Sequence, residues 1–138
     1  MRRLAPLLLL AACASTGKAT LEVDGAWVRT YQTDRDGAYH AAMTALAEQG
    51  FTVVSANPLG GSFVANSGVE KSSLWGVRYT FAHVVVEPSP QAGMRIRLSL
   101  TSTSEPAGAG RRPNNDRAVT NRTRYEAIFD AIEKILGA

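Results

Sequence analysis

The sequence predicts an α+β fold: a two-layer sandwich in which an antiparallel sheet of about 4–5 strands covers one face with two helices. Three observations predict it. Apolar residues recur at helical spacing in two separated segments, two strand-like runs flank an Asn-Pro-Leu-Gly-Gly turn, and two longer period-two runs flank a Pro/Gly-rich turn. Each of these elements has one apolar face, and the economical way to bury all of them is against each other.

In chain order, Ala26–Tyr31 carries β-type residues after an Asp24-Gly25 turn signal and reads as a strand. Thr33 or Asp34 then caps a helix over about 35–49, with Ala38, Ala42, Ala45 and Leu46 as its apolar stripe, broadened by Tyr39 and Met43. So many alanines call for close packing against a sheet. Gly50 supplies the left-handed stop and Phe51 its hydrophobic partner. Residues 51–55 and 62–66 form a hairpin across 57–61, and residues 67–73 read as loop.

Val77, Tyr79, Phe81 and Val85 then alternate with polar or small residues, as do Met94, Ile96, Leu98 and Leu100 beyond the turn at 88–93. Folding at that turn predicts Val85 near Ile96 and Phe81 near Leu100, with one face buried. Residues 104–115 read as loop, with Asn115 or Asp116 capping a last helix whose stripe is Tyr125, Ile128, Phe129, Ile132, Ile135 and Leu136. No internal repeat and no second domain is evident.

The first residues address a different question. Met1-Arg2-Arg3 is followed by a short apolar run, Leu7 to Leu10, then Ala11-Ala12 and the chain's single cysteine, Cys13. Charge, apolar run and small residues in that order are the pattern of an export signal, and the run is too short to span a bilayer. Leu10-Ala11-Ala12-Cys13 resembles the lipobox of bacterial lipoproteins. That resemblance implies cleavage before Cys13, a diacylglyceryl group on its sulfur and an acylated new N-terminus. The expected organisation is a signal peptide over 1–12, a lipidated tether over 13–20 and a single domain over 21–138. Several acyl chains hold a protein on a membrane stably where one is marginal. Ala14 follows the cysteine where inner-membrane retention is associated with Asp. The resemblance therefore implies the periplasmic face of the outer membrane, surface display being the other location such an anchor permits.

Composition narrows the function classes. Loss of Arg2 and Arg3 lowers the formal net charge of +3 by two, which leaves no strongly basic footprint and no nucleic-acid partner to expect. With Cys13 lipidated, neither a disulfide nor thiol chemistry remains. The two histidines, His40 and His83, lack the paired spacing of metal ligands. His83 shares the strand phase of Phe81 and Val85, which predicts a place at or near the sheet–helix interface. There is no Gly-x-Ser-x-Gly, Ser72-Ser73 lie in a loop with no base signalled nearby, and Asp130/Glu133 read as a solvated helix face. No catalytic residue, metal or cofactor is expected beyond the lipid on Cys13.

Two candidate sites remain. Arg111 and Arg112 follow Gly108-Ala109-Gly110 ahead of a helix start, where a loop can hold an anion, although the Gly-Lys-Ser/Thr of a P-loop is missing. Arg95 and Arg97 point away from the helices, with Val84 and Val86 as expected cross-strand neighbours, and Trp75 follows a polar loop. Together these five form a candidate partner-binding set.

From Trp27 to Ala65, the strand, Asp-capped alanine-rich helix, Gly50-Phe51-Thr52-Val53-Val54 and Gly61-Ser62-Phe63-Val64-Ala65 resemble a class of small bacterial lipoproteins with a helix–strand–strand core. More distantly they are similar to domains of the accessory lipoproteins of the outer-membrane β-barrel assembly machinery. The resemblance implies an anchored, non-enzymatic module that binds an envelope protein or supports an envelope assembly, and it carries over no catalytic residue. The alternatives are a small-molecule or lipid-binding lipoprotein with a pocket between helices and sheet, and a hydrolase built on His83 or His40.

Overall fold

A computed structural model describes residues 19–22, 25–106 and 116–137. The elements run β1 (Thr20–Leu21), β2 (Trp27–Tyr31), α1 (Arg35–Glu48), β3 (Thr52–Asn57), β4 (Ser62–Asn66), β5 (Lys71–Ser73), β6 (Gly76–Pro88), β7 (Met94–Pro106), β8 (Asp116–Ala118) and α2 (Arg122–Gly137). The fold is α+β, with two helices and one antiparallel sheet of eight strands. Its order is β1-β2-β7-β6-β4-β3, with β5 pairing β6 and β8 pairing β7.

The count exceeds the expected 4–5 because three short polar strands leave no hydrophobic pattern. β5 lies inside the segment expected to be loop, and β8 begins at the residue expected to cap the last helix. That helix is instead capped by Asn121, whose Oδ1 accepts from the Thr123 amide at 3.0 Å. The boundaries of α1 follow the sequence closely. Asp34 Oδ1 accepts from the Gly37 amide at 2.7 Å, Gly50 turns left-handed at φ 92°, and the Phe51 amide closes back onto the Leu46 carbonyl.

The core is built from alternate residues of the central strands. Val86 pairs Ile96, Val84 pairs Leu98 and Ala82 pairs Leu100, all buried together with Phe63 and Ala65 of β4. The expected register, Val85 against Ile96 and Phe81 against Leu100, is therefore off by one, and every β6 side chain lies on the opposite face from the one expected. β6 offers apolar residues in both phases between 81 and 86, so alternation alone does not choose between them. Packing does. The alanine face of α1 (Ala38, Ala42, Ala45) needs small residues beneath it, and Ala65 paired with Ala82 supplies them. The β6–β7 turn also brings Gly93, at φ 76°, so close to Tyr31 that a Cβ there would sit 2.3 Å from its carbonyl oxygen.

α2 lies over β2. Trp27 and Tyr125 rings meet at 5.4 Å, and the Tyr31 hydroxyl donates to the Phe129 carbonyl at 2.9 Å. The Tyr125 hydroxyl accepts from the Leu100 amide and donates to the Val119 carbonyl, tying the helix to β7 and to the end of β8.

Candidate interaction surface

The core phase of β2 contains one charged residue. Arg29, 5% exposed, reaches Glu126 (2.6 Å), Asp130 (3.0 Å) and Glu133 (3.2 Å) on α2. Burial works against its charge. The hydrogen bond to Asp130 and the surrounding carboxylates outweigh it, so the guanidinium is held above its ordinary value. The same environment, burial first, pushes the Tyr31 phenol well above the usual tyrosine range, with Arg29 pulling the other way. Sequence reasoning missed this cage. Its signal was the spacing of Glu126, Asp130 and Glu133 at i, i+4 and i+7, one line down a helix beside the apolar stripe. The three carboxylates serve a guanidinium and connect helix to sheet; they are not a free acid/base pair.

A second polar connection joins α2 to β6. The buried Thr80 hydroxyl donates to Glu70, and Arg124 bonds both Glu70 and Thr80. Burial raises the Glu70 carboxyl, but hydrogen bonds from Thr80, Arg124 and Ser67 outweigh it and hold the group below its ordinary value.

The opposite sheet face carries the other phase. Phe81, His83 and Val85 stand in a row on β6, opposite Thr101, Ser99 and Arg97 on one side and Asn66, Val64 and Ser62 on the other. Phe81 stacks edge-on to Tyr79 and tilts against His83. Arg95 pairs with Glu87, and Arg97 lies 3.6 Å from Glu22. Arg95 and Arg97 therefore do lie on this face, but their β6 neighbours are Glu87 and Val85. Val84 and Val86, each 2% exposed, belong to the core. The same one-residue shift takes His83 out of the expected interface and leaves it exposed.

Trp75 is 85% exposed, at the start of β6, whereas Arg95 and Arg97 pair near its end. At ~3.3 Å per residue these lie ~30 Å apart, so the five expected residues are not one site. Cys13, Arg111 and Arg112 lie outside the described residues.

His40 is exposed on α1, edge-on to Tyr39. Neither imidazole hydrogen-bonds a serine or a carboxylate among the described residues, and no three His, Cys, Asp or Glu side chains converge there as metal ligands. Among the same residues no helix is long and apolar enough to cross a membrane. Surface hollows of about 270 Å³ and 460 Å³ open beside Trp75 and beside Arg29 respectively. Comparison with protein-family models finds no match, and neither does comparison with curated proteins.

Proposed function

We propose that the chain is a membrane-anchored periplasmic lipoprotein, lipidated at Cys13 and held on the inner face of the outer membrane. In this reading it is a non-enzymatic module that binds an envelope protein or supports an envelope assembly. The helices and sheet form a two-layer sandwich whose free sheet face meets the partner. The observation that carries the reading is that face: a row of Phe81, His83 and Val85 bordered by Arg95 and Arg97, opposite the phase that packs on the helices. Aromatic and arginine side chains are enriched at protein interfaces relative to the rest of the surface. The lipobox-like Leu10-Ala11-Ala12-Cys13 supports the anchor.

The test joins location to contact. Wild type and Cys13→Ala are fractionated in the native host, with photocrosslinking residues placed at Val85 and, as control, at His40. Outer-membrane wild type, a mislocalised mutant and one recurrent adduct from position 85 but not 40 are expected. Correct anchoring without that adduct overturns the sheet-face reading, and unaltered localisation of Cys13→Ala overturns the anchor.

A further inference from the structure

The β5–β6 hairpin turns through two residues, Leu74 and Trp75, between the paired Ser73 and Gly76. Loops of this length favour Asn, Asp or Gly, whose backbones tolerate the turn. Here two large apolar side chains occupy the apex instead, 89% and 85% exposed. Neither side chain joins the core cluster, so the folded domain gains little from them.

The flanks are basic. Lys71 lies directly opposite Arg78 in the β5–β6 ladder, both exposed and without an acidic partner among the described residues. Like charges facing each other across a ladder repel, and an external anion relieves the repulsion. Lys71, Trp75 and Arg78 together line the hollow of about 270 Å³ beside the tip, whose one carboxylate, Glu105, already accepts from the Tyr79 hydroxyl.

We propose that this tip is a bilayer contact: Leu74 and Trp75 enter the interfacial zone of an anionic phospholipid membrane while Lys71 and Arg78 meet its phosphates. Shape selects the bilayer over a protein. A convex two-residue apex offers far less than the ~800 Å² per partner that a stable protein interface buries, whereas interfacial insertion needs only an apex. Chemistry agrees, because Trp favours the headgroup level and nearby Lys and Arg favour anionic lipid. The contact does not require the Cys13 lipid, so an unlipidated chain tests it separately from the anchor.

The experiment uses the full chain as Cys13→Ala with phosphatidylglycerol or phosphatidylcholine vesicles carrying brominated acyl chains. Residues 1–12 are common to every variant. Trp75 fluorescence should shift to the blue and be quenched, while Trp75→Phe should leave the buried Trp27 unquenched. The pair Leu74→Ser/Trp75→Ser should lower vesicle partitioning by about tenfold, with the thermal midpoint unchanged because neither side chain joins the core. Lys71→Ala and Arg78→Ala should each weaken binding to anionic vesicles by about fivefold at low salt and leave neutral vesicles unaffected. An unquenched Trp75 on vesicle-bound protein overturns the proposal. So does a protein adduct in place of a lipid adduct from a photocrosslinker at position 75 in native membranes.

Discussion

β6 and β7 present two faces from the same stretch of backbone. On one, Val84, Val86, Ile96 and Leu98 are sealed beneath helices; on the other, His83, Val85 and Arg97 stand at the surface one residue away in sequence. The charges on the two sides differ as much as the apolar groups do. Arg29, on the covered side, holds three carboxylates, while Arg95 and Arg97 meet Glu87 and Glu22 in partly wet surroundings. A period of two thus separates the residues enclosed in the core from those left at the surface.

The sharpest break of that comparison is truncation on the covered side. Leu98→Ala or Phe129→Ala should cost about 3–5 kcal/mol by urea unfolding, because both are enclosed on every side. Arg29→Ala should cost less, ~1–3 kcal/mol. Breaking a fully buried pair costs more, but Asp130 and Glu133 are 70% and 42% exposed and recover water when the guanidinium goes. Arg29→Met, which keeps an unbranched apolar chain in the buried site while giving up the guanidinium over Phe129, should recover part of that loss.

Smaller and pH-dependent is the Glu70 contribution. Its carboxyl is held below the ordinary value in the folded chain, so the stabilisation is complete above the unfolded glutamate range near pH ~4.3 and is lost as pH falls through the lower folded value. Glu70→Gln should flatten that acid limb in thermal melts between pH 3 and pH 6. Smallest of all is Val85→Ser on the open face, which should change stability by no more than ~0.5 kcal/mol. A loss there comparable with that of Leu98→Ala would show that both faces carry the fold.

Where residue chemistry was locally decisive, the structure was readable in advance. Asp34 and Gly50 bound α1, the stripe of Tyr125, Ile128, Phe129 and Ile132 defines α2, and Ser62–Asn66 is a strand as expected. β6 was not readable in its facing, because Phe81, Ala82, Val84, Val85 and Val86 fill both phases and only the alanines of α1 choose between them. Arg29, a lone cation between Val28 and Thr30, looks outward-facing until α2 brings its acids over it. On the open sheet face, Arg95 and Arg97 point away from the helices as expected, but their neighbours and their distance from Trp75 depend on a register that alternation could not fix.

The Arg29 cage also bears on how quickly the molecule can form. Its partner Asp130 lies 101 residues further along the chain, and the Tyr31–Phe129 hydrogen bond spans 98. Contacts of such long sequence separation reward the chain only after most of its loop-closure entropy has been lost, which slows folding relative to helical bundles of similar size. β2 reaches its final anchorage, a ladder to β7 on one side and the Arg29 and Tyr31 bonds to α2 on the other, only when the distant end of the chain docks.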